Sequence, residues 1–232
     1  MFEGNRRQKP DEKLLAKQRQ GHRARLRARF VKDGMSALQD YEKLEYLLFL
    51  FYPQKDVKPI AKSLLEHYGS ISGILESGTD DLKSFGLTER IAVDISFLRE
   101  FLTFVCYEKI ADRPFLENSE AAVLYLQRKL GSSKKETLMV FYLDSGRKIN
   151  GIWEHTGTVN SATVAPREVA EMALRYHAVG VILVHNHPSG NDKPSRADIA
   201  FTQEIYNCLD TFDIKLLDHL IVTRDTYRSL MQ

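Results

Sequence analysis

Residues 180–198 read Gly180-Val181-Ile182-Leu183-Val184-His185-Asn186-His187-Pro188-Ser189-Gly190-Asn191-Asp192-Lys193-Pro194-Ser195-Arg196-Ala197-Asp198. The apolar opening, Gly180 to Val184, predicts a short strand buried on both faces. His185 and His187 follow at its C-terminal end. In an extended chain residues i and i+2 point to the same side, so the two imidazoles converge. Pro188 and the Ser189-Gly190 pair then turn the chain away. Ser195 is an N-cap candidate, which puts Asp198 in the first turn of the next helix, facing the strand end. Two imidazoles and a carboxylate suit zinc and leave a fourth position for water, the pattern of a catalytic metal rather than a structural one. Each piece alone has a plainer reading. A His-x-His pair can be incidental, and Asp198 can be a helix-start carboxylate favoured by the dipole. The conjunction carries the metal reading.

The surrounding sequence has a mixed α/β texture. Ser119 caps a helix running to about Leu130. Thr137–Leu143 and Lys148–Thr158 read as a hairpin turned at Asp144-Ser145-Gly146. Pro166 opens a helix with Val169, Met172, Ala173 and Tyr176 inward. Ser195 starts a helix with Ile199, Ile205, Cys208, Leu209 and Phe212 on one side, and Lys215–Thr223 returns to strand. His155 shares a strand face with Trp153 and reads as core packing. His219 reads as a satisfied core histidine beside Asp218, or as support for the metal. His22, His67 and His177 show no partner pattern and read as surface residues.

Before this region the pattern is helical. Asp40 can cap a helix with Leu44, Leu47, Leu48 and Phe51 on its apolar face. Asp56 can cap the next, with Pro59 in its first turn and Gly69 as its stop. Ser70–Glu76 and Ala92–Val105 are further helices, and Leu82-Lys83-Ser84-Phe85-Gly86-Leu87-Thr88 lies between them. The expected division is a basic, disordered head over 1–20, a helical module over 21–107, a linker over 108–118 and an α/β domain over 119–232.

At 232 residues the chain fits one large domain or two small ones, taking about 150 residues per domain. Cys106 and Cys208 cannot build a disulfide framework, which fits a reducing cytosol. No apolar run approaches the roughly 18 residues of a membrane span, and the charged N-terminus is not a secretory signal. A cytoplasmic protein is expected. Net charge is +2, yet residues 1–30 hold ten Lys/Arg against Glu3, Asp11 and Glu12. That basic head could track DNA phosphates, or be only a solvated segment. Neither a Walker-type run nor Gly-x-Gly-x-x-Gly occurs, so no phosphate-binding loop is expected.

The arrangement His185-x-His187-Pro188 with Ser195-x-x-Asp198 resembles the signature of the JAMM (MPN-plus, JAB-type) zinc metalloproteases. More narrowly, HNHPSGNDKPSRADIAFT, with GTVNSATVAPREV upstream and LLDHLIV downstream, resembles the bacterial RadC family. GHRARLRARF and DVKPIAKSLL resemble RadC proteins too, whose N-terminal part is helix-hairpin-helix-like. The resemblance implies a cytidine-deaminase-like JAB/MPN fold with a mixed sheet, preceded by an all-α module. It also implies Zn2+ on His185, His187 and Asp198, with a peptide or protein substrate. Ser195 would stabilise an oxyanion, and a glutamate would be general base. Glu136 matches that position; Glu154, Glu168 and Glu171 are competitors, and Asp192 is a competing ligand. Asn160 and Ser161 could hydrogen-bond near the site. An alternative is a DNA-associated repair or recombination factor whose metal domain is a binding platform. One departure stands at Thr88, where such hairpins carry a second glycine. A side chain there obstructs approach to a DNA phosphate and disfavours positive φ.

Overall fold

The structure, a computed structural model, describes residues 12–115, 119–157, 159 and 164–231, with the side chains of 12–19 excepted. It divides into two compact units, Met1–Arg99 and Glu100–Gln232.

The first unit is helical: α1 (Glu12–Asp33), α2 (Asp40–Phe51), α3 (Lys58–Tyr68), α4 (Ile71–Glu76), α5 (Thr79–Ser84) and the first part of α6 (Glu89–Ala111). Leu26, Leu44, Leu48, Leu64, Ile74, Leu82, Ile91 and Ile95 form its core. Gly69 ends α3 in the left-handed region at φ 75°, as expected of a glycine stop. Gly86 takes φ 107°, so the amide of Leu87 can turn back to the Leu82 carbonyl at 3.1 Å.

The caps differ from expectation. Gln39, not Asp40, is the N-cap of α2; Glu42 reaches back to the Gln39 amide at 3.0 Å. Arg29 grips Glu42 with a two-pronged contact at 2.7 and 3.0 Å, which pulls that carboxyl below its usual range. Asp56 accepts the Lys58 amide from one residue outside the N-cap, Val57.

Part of the expected basic head is helix. α1 begins at Glu12, because Leu14, Leu15, Ala16, Lys17 and Gln18 are strong helix formers even without an apolar stripe. Residues 1–11 lie outside the described residues. Arg23 donates to the carbonyls of Tyr52, Pro53 and Lys55 at 2.6–2.7 Å and lies over the Phe49 ring. Two of the ten cations of residues 1–30, Arg23 and Arg29, are thus held by internal partners.

The second unit is α/β. α6 runs on to Ala111, into the span expected as linker, because Ile110 is buried in this unit's core. Then come α7 (Ser119–Leu130), β1 (Thr137–Leu143), β2 (Ile149–Thr156), α8 (Pro166–Arg175), β3 (Gly180–Asn186), α9 (Arg196–Asp210), β4 (Lys215–Val222) and β5 (Tyr227–Ser229). The sheet order is β2-β1-β3-β4-β5, with β3–β4 parallel and the other pairs antiparallel. The pleat sorts side chains by parity. Leu138, Val140, Tyr142, Val181 and Leu183 face Val169, Ala173, Phe201, Ile205 and Leu209 of α8 and α9. Met139, Phe141, Leu143, Ile182 and Val184 share the other core with Ala122, Leu126 and Leu130 of α7. Both faces of β1 and β3 are therefore covered, which is why these strands read as unbroken apolar runs.

Ile199 and Phe212, expected inward, are exposed. The inward face of α9 is set by Phe201, Ile205 and Leu209, and Ile199 lies about half a turn from it. Strand β5 escaped the sequence reading because its three residues carry no apolar alternation. Both cysteines are free thiols. Among the described residues no helix is long and apolar enough to cross a membrane.

Gly151 of β2 permits a close approach. A Cβ there would stand 2.5 Å from three ring atoms of Tyr176, whose ring packs 5.3 Å from that of Tyr142. Gly151→Ala should therefore destabilise the protein by about 1–3 kcal/mol. Urea unfolding should show a lower midpoint at unchanged slope.

Candidate metal centre

Strand β3 carries the histidines to the end of the sheet. His185 is fully buried and lies opposite Leu138 of β1. His187 follows the last strand residue, and the period of two turns both rings to one side, centroids 4.8 Å apart. Helix α9 brings the carboxylate. Ser195 is its N-cap: the Asp198 amide donates to Ser195 Oγ at 3.1 Å, and the Ser195 amide donates to Asp198 Oδ2 at 2.6 Å. This reciprocal box fixes a buried Asp198 against the end of β3. The site thus lies at the C-terminal ends of the two parallel strands, beside the helix that joins them.

Nε2 of His185 and Nε2 of His187 are 3.0 Å apart. Asp198 Oδ1 is 3.4 Å from the former, and Oδ2 is 3.4 Å from the latter. Glu136, immediately before β1, completes the group: one donor atom from each of Glu136, His185, His187 and Asp198 lies within 4.8 Å of the others. This donor set fits a metal ion in kind and spacing. A tetrahedron with bonds of about 2.0–2.1 Å has edges of about 3.3–3.4 Å.

Glu136 is half-buried, and its Oε2 accepts the Val159 amide at 3.4 Å. Loss of solvent raises its pKa; the Val159 hydrogen bond and His187 oppose the rise, and Asp198 adds to it. His187 donates from Nδ1 to the Asn191 carbonyl at 2.7 Å. His185 Nδ1 lies 2.8 Å from His219 Nε2, and His219 Nδ1 lies 2.6 Å from Thr202 Oγ1. Burial holds both rings neutral. It pushes His185 down to about 4 and His219 well below the ordinary imidazole value.

The competing residues lie elsewhere. Glu154 pairs with Lys129 at 3.2 Å, and Glu168 and Glu171 are exposed on α8. Asp192 pairs with Arg228 at 3.3 Å. Trp153 and His155 stack with centroids 6.0 Å apart. His22, read as a surface residue without a partner, is 2.9 Å from the buried Glu45. His67 packs against the rings of Tyr68 and Phe85. Asn160 and Ser161 lie outside the described residues.

Two contributions were missed. Asn186, between the histidines, points the opposite way. Its Oδ1 accepts the Thr137 amide at 2.8 Å, and its Nδ2 donates to the carbonyls of Ser133 and Lys135 at 3.3 and 3.1 Å. It thereby ties the segment bearing Glu136 to the strand bearing the histidines. A polar residue inside a doubly buried strand was the available signal. Thr202, one helical turn after Asp198, was the second, since that spacing shares a face.

Fold and site define an α/β domain with a candidate metal centre at the end of its central strand. The RadC family model, described as a RadC-like JAB domain, matches residues 116–232. UPF0758 protein FN0909 of Fusobacterium nucleatum subsp. nucleatum is 32% identical over 228 residues, 94% of this chain and 98% of that one. UPF0758 protein SPO0054 of Ruegeria pomeroyi is 36% identical over 203 residues, covering 87% and 91%. This chain belongs to the RadC family.

Asn186→Ala leaves the Thr137 amide buried without its acceptor. It should cost about 2–3 kcal/mol and speed hydrogen exchange at Thr137, measured in one deuterium-exchange series. The neutral rings set a pH dependence. An unfolded chain binds protons at His185 and His219 near pH 6.5, whereas the folded chain resists until about 4 for His185 and until well below 6.5 for His219. Where the unfolded state holds more protons, stability rises with pH. Metal-stripped protein should accordingly lose melting temperature as pH falls from about 6.5 towards 4. A flat profile would contradict the burial of neutral rings.

Proposed function

We propose that this chain is a zinc-dependent hydrolase of JAMM type that cleaves an amide bond, peptide or isopeptide, with water. The observation that carries the reading is the convergence of Glu136, His185, His187 and Asp198 within 4.8 Å at the end of a buried strand. The donor set of two imidazoles and a carboxylate, with a second carboxylate beside it, suits zinc better than the all-oxygen shells of harder cations. The RadC-like JAB domain match supports the same chemistry.

His185, His187 and Asp198 would hold the ion. Zinc so held supplies Lewis acidity, acidifying a water and polarising the substrate carbonyl. Glu136 then acts as general base. Its partial burial raises its pKa above the ordinary carboxylate value, which strengthens it as a proton acceptor. It takes a proton from the attacking water and delivers it to the departing amine nitrogen. Ser195 Oγ already accepts the Asp198 amide hydrogen. Its own proton remains free to donate to the carbonyl oxygen as negative charge develops there.

The alternative, DNA association through the basic head, would rest on the other cations of residues 1–30, because Arg23 and Arg29 make internal contacts.

Metal analysis of protein purified without chelators tests the reading. The native chain should carry zinc, and His187→Ala should not. Glu136→Gln should keep the zinc while turnover of a peptide or isopeptide panel falls about 10²–10⁴-fold. Zinc retained by His187→Ala, or turnover retained by Glu136→Gln, would overturn it.

A further inference from the structure

A chain of hydrogen bonds runs from α9 through β4 to the ring of His185, and its direction follows from its first link. Thr202 Oγ1 donates to the Asp198 carbonyl at 2.6 Å, an oxygen that can only accept. The hydroxyl has one proton, now spent. Its contact with His219 Nδ1 at 2.6 Å must therefore be an N–H donating to Thr202 Oγ1. A neutral His219 with its proton on Nδ1 presents a bare Nε2. That nitrogen, 2.8 Å from His185 Nδ1, accepts the His185 proton. His185 is left with a bare Nε2 aimed at the cluster. His187 reaches the same state by a shorter route, because its Nδ1 donates to the Asn191 carbonyl at 2.7 Å.

Two unprotonated nitrogens then face each other at 3.0 Å, with both Asp198 oxygens 3.4 Å away. Four electron-rich atoms crowd one point with no proton assigned between them. That arrangement repels unless a cation sits among them.

We infer that His219 and Thr202 are positioning residues: they lock His185 in the tautomer whose Nε2 is free to bind a metal ion. This rests on the metal-site reading of His185, His187 and Asp198. The lock is rigid for local reasons. His219 has no solvent exposure, and its ring lies edge-on to Phe201. Asp218 Oδ1 accepts both the His219 amide at 2.7 Å and the Ser229 hydroxyl at 2.6 Å. The His219 carbonyl accepts the Leu230 amide at 2.9 Å. With both ring nitrogens engaged and no water access, the proton order can reverse only if Thr202 stops accepting.

The test compares Thr202→Val, which keeps the branched shape and removes the acceptor, with Thr202→Ser, which keeps the hydroxyl. Imidazole ¹⁵N shifts in metal-free protein should assign the His185 proton to Nδ1 in the native chain and in Thr202→Ser. In Thr202→Val a substantial share should move to Nε2. Zinc affinity, read by competition with a chromophoric chelator, should fall about 10–100-fold in Thr202→Val and stay within a few-fold in Thr202→Ser. A His185 proton on Nε2 in the native chain, or equal zinc affinity in all three proteins, overturns the inference. Failure of the native chain to bind zinc overturns the proposed function instead, and the shifts still decide the tautomer lock.

Discussion

Everything at the site depends on where the backbone ladder of β3 ends. The strand pairs on both edges, with β1 and with β4, and is covered on both faces. Its apolar run gives way to polar residues only at its last two paired positions, His185 and Asn186. At that point the pleat still dictates direction. His185 and His187 turn to one side and Asn186 to the other. One periodicity thus does two tasks. It aims two nitrogens into a common point, and it fastens the strand start that brings Glu136 there. A register slip of one residue would exchange these sides and dismantle both.

The other half of the cluster comes from a helix start, and the same logic of unmet hydrogen bonds governs it. The first amides of α9 need acceptors, and Ser195 and Asp198 supply one each. Capping thereby immobilises Asp198 at the very atoms that face the histidines. Immobilisation has an energetic consequence. Neutral rings and a half-buried Glu136 reduce the charge that must be taken from water, which softens the desolvation penalty. Asp198 Oδ2 keeps the Ser195 amide as partial compensation.

Much of this was legible in residue order, for identifiable reasons. Thr137–Leu143 and Gly180–Val184 are apolar without alternation because both their faces are covered, and length separated them from helices. Ser195 and Pro166 announce helix starts through chemistry that acts within one turn. What stayed hidden depends on distant partners or lacks local contrast. Glu42 caps α2 only because Arg29, thirteen residues earlier, holds it. Residues 108–111 read as linker because Ile110 finds its neighbours in a sheet that comes later in the chain. Strand β5 exists by pairing to β4, and its own residues say little. At the site, the ligand pattern was visible in sequence, whereas Thr202 and His219 meet across 17 residues and could not be joined by spacing alone.

Buried polar groups in the two units differ in how their protons are accounted for. Glu42 in the helical unit is matched: Arg29 brings two N–H donors and Gln39 a third, so each carboxylate oxygen faces a hydrogen. That group fixes a helix start and asks for nothing more. Around His185 the count comes out differently. Following each proton from Thr202 to His219 to His185, and from His187 to Asn191, leaves two nitrogens facing carboxylate oxygens with no hydrogen to share. Packing alone gives a fold no reason to concentrate lone pairs at one point. That deficit of positive charge suits this point to holding a cation.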